Sequence, residues 1–522
     1  MRTLFFNGKI YTNKSFFAAM IIADGKIVAI GDNNLLDDIS NYEEKVDLEK
    51  RLVLPGFNDS HLHLFLQAKK ARTAILDDAK SIEEIVEIGK KHLANNPDLT
   101  VLIGEGFNQD KFIKPVIPTK EDLDLISTEI PVVFSRICGH IVSVNSRALE
   151  MCGINEEKQI DGGQILVDSN HKPNGILTEN ACGLLGMFDP IYNETTAIEL
   201  LDEVIGYALE HGVTSVQTND LNLDNSEYLQ EAYIKCSLQE KIRINHQVSL
   251  GSIDKYLWFK KQFASNDFNT LGPLKIFLDG SLGARTAALT SPYADDESSY
   301  GVTCYQYEEL QQLVAVANQK KVQLIFHAIG DKAISDVLDA FEASNELKNP
   351  LRHGIVHLQI TDEMILKRMA KHNICALVQP AFLDYDMGIV AERVGEKLAG
   401  TSYAWKTLLE SVPTSFGTDL PVEEINPFKG LYLAVTRRNF NKTKIYNNNQ
   451  FISLHQAVAA YTSGSSYQEF MEDKKGLLQV GYFADFIVLD RDIFTVPFEE
   501  LHQTKVLKTY VSGKKVYEAK KF

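Results

Sequence analysis

The chain is 522 residues long, too many for one ordinary domain, and a prior of about 150 residues per domain points to roughly three units. Its 44% hydrophobic and 24% charged residues are globular values and exclude disorder as the main state. A formal charge of −17, from 53 basic and 70 acidic residues, argues against a nucleic-acid partner. No stretch approaches the roughly 18 apolar residues of a membrane span, so no membrane partner is expected. The opening MRTLFFNGKIYT lacks the unbroken apolar core of a secretory signal, and a cytoplasmic protein is the expectation. Cys138, Cys152, Cys182, Cys236, Cys304 and Cys375 form no CxxC pair and read as reduced, mostly buried thiols.

The first fifty residues read as strands. Asn7-Gly8 and Asp24-Gly25 each separate two apolar runs, and such dipeptides tolerate the positive φ of a tight hairpin. The last forty residues repeat the style, with Ser512-Gly513 as the turn. Residues 1–54 and 479–522 are therefore expected to form one composite β-sandwich, since each piece alone leaves an apolar face uncovered.

The middle, 55–478, alternates strands with helices. Strand candidates lie at 53–64, 212–218, 242–250, 272–280, 321–331, 354–360, 373–380 and 412–419. Helical stretches at 197–212 and 307–321 fall between them, the second with Leu310, Leu313, Val314 and Ala317 on one face. Eight such units predict a (β/α)8 barrel, though a doubly wound sheet gives the same local signal. About 150 residues separate the first two strands, too many for a loop, and imply an inserted subdomain at about 66–196.

His61 and His63 stand at i and i+2 at the end of the first strand, so both imidazoles project from one face and can reach one metal ion. His327, His357 and Asp419 fall at the ends of the fifth, sixth and eighth strands, where a barrel places its chemistry. Histidines and a carboxylate together suit a hydrolytic metal site. Lys275 lies inside the apolar run GPLKIFLDG; it reads either as an edge lysine snorkelling to water or as a buried, chemically modifiable amine.

Long ordered blocks now make the chain resemble the amidohydrolase superfamily, in the branch of the N-substituted formamide deformylases. They are PGFNDSHLHL (55–64), GHIVSVNSRAL (139–149), DGGQI…PNGILTE (161–179), KIFLDGSLGARTAAL (275–289), HAIGDKA (327–333), FGTDLPV (416–422) and GLLQVGYFADFIVLD (476–490). The resemblance implies a distorted (β/α)8 TIM barrel carrying a β-sandwich from both chain ends. It implies two divalent metal ions, zinc being expected. His61, His63 and Asp419 look like ligands of the more buried ion, and His327 and His357 of the second. Lys275 looks like the bridge, as a carboxylated lysine formed with carbon dioxide. Relatives usually carry Glu before the sixth-strand histidine, where this chain has Val356, and often Ser where it has Thr418.

His140 lies in the insertion, and the resemblance suggests a loop that reaches substrate; a structural histidine is the alternative. Arg285 reads as a partner of an anionic or carbonyl-bearing substrate or as half of a loop salt bridge. His246, in a strand-like run, is a weaker candidate for the pocket. The expected function is hydrolysis of a C–N bond in an amide or formamide-type small molecule, by a hydroxide held between the two ions, with Asp419 as proton shuttle. The alternatives are a metal-dependent deaminase of the same superfamily and a non-catalytic binding protein on a decayed scaffold. Such deaminases typically place a glutamate shortly after the fifth-strand histidine, where HAIGD offers Asp331. A homodimer is the default assembly.

Overall fold

The computed structural model describes residues 2–32, 34–35, 42–137, 140–155, 160, 163–188, 192–344 and 348–520. Cys138, Gly139, Asp161 and Gly162, within or beside motifs quoted above, lie outside the described residues. Two compact units emerge, one of 1–66 with 194–522 and one of 67–193.

In the larger unit, eight parallel strands follow one another around a barrel in chain order: Phe57–Leu62, Val213–Thr218, Arg243–Val248, Asn269–Phe277, Leu324–Ala328, Gly354–His357, Cys375–Val378 and Thr414–Phe416. All eight coincide with the expected runs. Helices Glu194–Glu210 and Tyr307–Lys320 lie between strands as the sequence predicts, the second burying Leu310, Val314 and Ala317. Barrel strands are buried on both faces, which is why they read as apolar runs rather than alternating ones.

The first and eighth strands meet just past their ends. Asp419 N donates to His61 O at 2.8 Å, and His63 N donates to Leu420 O at 2.7 Å. Gly417 permits this approach, because a Cβ there would stand 2.7 Å from His61 N and 2.8 Å from the Asp59 carboxylate.

Both chain ends build a sandwich. One sheet runs Lys26–Gly31, Ala19–Ala23, Arg2–Phe6, Glu44–Asp47; the other runs Lys514–Glu518, Val506–Val511, Phe486–Leu489, Leu52–Pro55, Lys9–Thr12, Ser15–Phe17. Leu52–Pro55 pairs antiparallel with Phe486–Leu489, so the two ends share a ladder. Phe5 packs edge-on against Phe486 and Tyr510, in a core that also holds Ile10, Met20, Ile27 and Val488.

Asp24-Gly25 and Ser512-Gly513 are hairpin turns with positive φ at both residues. Asn7-Gly8 is not: Arg2–Phe6 pairs with Ala19–Ala23 in one sheet, and Lys9–Thr12 belongs to the other. The dipeptide turns the chain between layers, because pairing is decided by which neighbour covers the apolar face. The expectation of mostly buried thiols also needs correction. Cys236 and Cys375 are buried, Cys152 and Cys182 half-buried and Cys304 exposed, and none of these five is in a disulfide.

The smaller unit has a six-stranded sheet from Ala74–Ile75, Leu102–Phe107, Val132–Arg136, Ile141–Val144, Pro173–Glu179 and Gly163–Val167. Its helix Ile82–Asn95 is N-capped by Ser81, whose hydroxyl accepts from Glu84 N. Among the described residues, no helix is long and apolar enough to cross a membrane.

Candidate metal centre

The barrel's ends bring His61, His63 and Asp419 together, with one ligand atom from each inside 4.8 Å of the others. Asp419 Oδ1 lies 3.3 Å from His63 Nε2 and 3.6 Å from His61 Nε2. The His61 and His357 rings are 5.7 Å apart and those of His327 and His357 4.5 Å apart, so the four imidazoles form one chain. Lys275 is buried among them, its Nζ 3.1 Å from His61 Nε2 and 4.5 Å from the centre of the Phe277 ring. The structure thus gathers the six residues of the expected ligand set. His357, Leu358 and Asp419 hold left-handed φ of 75°, 48° and 57°, uncommon for residues with a side chain and typical of strained functional turns.

Each imidazole is held through Nδ1. His61 Nδ1 faces Gln247 Oε1 at 2.5 Å, and His63 Nδ1 faces the Asn219 carbonyl at 2.8 Å. His327 Nδ1 meets the Asp279 carboxylate at 3.1 Å, and His357 Nδ1 meets Gln379 Oε1 at 2.9 Å. Asp279 is itself fixed by the backbone N–H groups of Ala288, Ile329 and Gly330. An imidazole that donates from Nδ1 keeps its lone pair on Nε2, the arrangement of metal-ligating histidines.

The electrostatics agree. Burial, with Lys275, His63 and His357 nearby, holds His61 well below the ordinary imidazole range. Burial does the same to His357, helped by His327 and Lys275. For His63 burial pulls downward too, but the neighbouring Asp419 carboxylate outweighs it and raises the pKa. Burial pushes Lys275 down to about 7 against the pull of Asp419, so a neutral amine is accessible near neutral pH. Burial lifts Asp59 to about 7, although its carboxylate accepts from Thr418 Oγ1 at 2.6 Å and from the backbone N–H groups of Thr418 and His61.

The donor set fits a metal ion. Asp419 Oδ1 is buried and accepts no hydrogen bond. With Nδ1 as the donor on both rings, Nε2 is the ligand atom each neutral imidazole offers, and the Nε2 atoms of His61 and His63 both face this oxygen. Lone pairs and a carboxylate converging in a buried site repel unless a cation or a proton lies among them. Imidazole and carboxylate donors suit divalent transition metals, zinc included.

Three further candidates have local partners of their own. His140 belongs to the smaller unit, is exposed, and has Nδ1 3.0 Å from the Glu179 carboxylate. Arg285 forms a loop salt bridge with Asp295, at 2.7 Å, which Arg393 also joins. His246 faces away from the pocket: its Nε2 meets Asn269 Oδ1 at 2.8 Å, and its ring packs on Tyr233 and Phe263. Its neighbour Gln247 points inward instead. Strand alternation allows one of two adjacent residues inside, and the sequence reading singled out the histidine. Gln247, Asn219, Asp279 and Gln379 are not among the sequence candidates: Gln247 lies within the third strand and the other three just past strand ends, where a polar residue has many local uses.

The amidohydrolase family matches this chain over residues 44–517, and the chain belongs to that family. YtcJ of Bacillus subtilis (strain 168) is 33% identical over 99% of this chain and 100% of its own. N-substituted formamide deformylase of Arthrobacter pascens is 25% identical over 96% of this chain and 95% of its own. Among solved structures, an uncharacterized metal-dependent hydrolase from Pyrococcus horikoshii OT3 superposes with a TM-score of 0.77 at 28% identity. That match covers 95% of this chain and 99% of the other.

Proposed function

We propose that the protein is a metal-dependent hydrolase that cleaves the C–N bond of an amide or formamide-type small molecule. The observation that carries this reading is the buried Asp419 Oδ1, without a hydrogen bond, facing the Nε2 atoms of His61 and His63. The likeness to the Arthrobacter deformylase and to the Pyrococcus metal-dependent hydrolase supports it.

On this reading His61, His63 and Asp419 hold one ion and His327 and His357 a second. Lys275 would help hold both once its neutral amine had added to carbon dioxide, forming an N–C bond and releasing a proton to give a carbamate. The side chain changes from a neutral amine to a two-oxygen anion. Divalent ions, expected to be zinc, supply Lewis acidity toward a carbonyl oxygen and toward water. Asp419 accepts the proton of the attacking water and returns it to the leaving nitrogen. Phe277, at the end of the fourth strand, and Phe382, stacked on His357, give the site apolar walls beside the reacting groups. Arg285 and His140 are proposed to touch substrate only after release from Asp295 and Glu179. A deaminase reading gains no support from Asp331, which accepts from Thr290 N and opens a helix.

Metal analysis of the purified protein, with amine release from a panel of N-substituted formamides and amides, tests the reading. About two ions per chain and amine release are expected, and Lys275→Ala should lose the paired ions while keeping its circular dichroism. A metal-free, inactive wild type, or ammonia released from an aminated ring instead, would replace it.

A further inference from the structure

We infer that Gln247 is the positioning residue that fixes the tautomer of His61 and, with Asn219, couples the two imidazoles of the His61–His63 pair. The inference rests on the proposed metal centre and goes beyond it by naming what makes the site ready for an ion.

Gln247 is fully buried on the third strand and reaches across the barrel interior to the first. Its Nε2 donates to Ser60 O at 2.9 Å. A carbonyl can only accept, so this bond settles which end of the amide is nitrogen. Oε1 is then the atom 2.5 Å from His61 Nδ1, and an oxygen without a hydrogen can only accept there. Nδ1 must carry the proton, and Nε2 must present its lone pair. The contact on the other side agrees, since Lys275 Nζ stands 3.1 Å from Nε2 and can donate to it.

The chain continues from the same residue. Gln247 O accepts from Asn219 Nδ2 at 2.8 Å, and Asn219 O accepts from His63 Nδ1 at 2.8 Å. The Gln247 side chain thus holds His61 and the Asn219 main chain holds His63, with the Asn219 side chain tied to the Gln247 carbonyl, and both Nε2 atoms face Asp419. Elsewhere in the centre each ring has a separate support, Asp279 for His327 and Gln379 for His357. Loss of Gln247 should weaken the ion at His61 and His63 and spare the other.

Histidine-selective ¹⁵N NMR on the full-length protein before metal addition reads the tautomer, with His61→Asn identifying the His61 signals. The wild type should show a protonated Nδ1 and a bare Nε2. Gln247→Met, of similar volume, should mix the tautomers and weaken binding of one of two titrated zinc ions by roughly 10–100-fold. Gln247→Glu accepts from Nδ1 in either protonation state and should keep the tautomer. A wild type protonated at Nε2 overturns the inference without any variant. So does Gln247→Met with wild-type tautomer and zinc affinity. A wild type with the expected tautomer but no zinc binding would instead sink the metal reading and leave the tautomer assignment standing.

Discussion

The two ends of the barrel both bury charge, and they treat it in opposite ways. At the N-terminal ends of the strands, Arg243 binds Asp485 through Nε at 2.6 Å and Nη2 at 3.1 Å, and its guanidinium packs between Phe268 and Phe483. Nearby, Lys475 binds Glu469 at 2.7 Å and Ser215, and Glu469 accepts from Asn58. Each buried charge there meets an opposite charge. At the C-terminal ends, Asp419 Oδ1 accepts no hydrogen bond, and the Nε2 atoms of His61 and His63 lie 3.6 and 3.3 Å from it. The paired end ties the barrel to the sandwich, since Asp485 precedes a sandwich strand. The other end carries the candidate metal ligands. This is the usual division in barrels, with stability at one face and chemistry at the other.

The sharpest break of this comparison is removal of residues 479–522. That deletes Asp485 and the strands Phe486–Leu489, Val506–Val511 and Lys514–Glu518, yet none of the six candidate ligands. Apolar strand edges invite aggregation, so the truncated chain should be insoluble on expression. Soluble protein with full metal content would show that the mouth does not depend on the base.

Asp419→Asn probes the mouth alone. Turnover should fall roughly 10²–10⁴-fold, the range of a general acid–base group, while circular dichroism and most bound metal persist. Near-normal turnover would remove the carboxylate from the proton pathway.

Arg243→Ala probes the base alone. Stripping one partner from a buried pair leaves Asp485 unmatched and should cost about 3–5 kcal/mol in denaturant unfolding. Metal content per folded chain should stay at the wild-type level. A loss of metal at unchanged stability would mean the two ends are not separable.

The smallest effect separates two adjacent residues. His246→Ala leaves Asn269 Oδ1 without its partner and should cost about 1–3 kcal/mol. Its metal affinity should match the wild type, in contrast to the loss expected at Gln247.

Much of the barrel was legible because its signals are local. A strand buried on both faces must be an apolar run, and a helix laid on it must repeat its apolar residues every three to four positions. The ligand residues were legible because His and Asp at strand ends have few reasons to be there in combination. Lys275 stood out because an amine inside an apolar run is costly. The supports of those ligands were not legible. Gln247, Gln379 and Asn219 are amides whose role depends on which strand lies across the barrel, and nothing in their own neighbourhoods encodes that. The turn at Asn7-Gly8 failed for a related reason: its dipeptide specifies a bend, whereas the sheet that the next strand joins is chosen by distant partners.

The sequence by itself determined the order of elements, the eightfold alternation and the chemical identity of the candidate ligands, because these follow from side-chain polarity and backbone preference within a few residues. Only the tertiary structure decided which face each residue shows, and hence that Gln247 and not His246 enters the barrel. It also decided that residues 61 and 419, far apart in the chain, share one site. That meeting depends on closing the sheet: the backbone bonds between Asp419 and His61 and between His63 and Leu420 join the first and eighth strands, and Gly417 leaves the space for them.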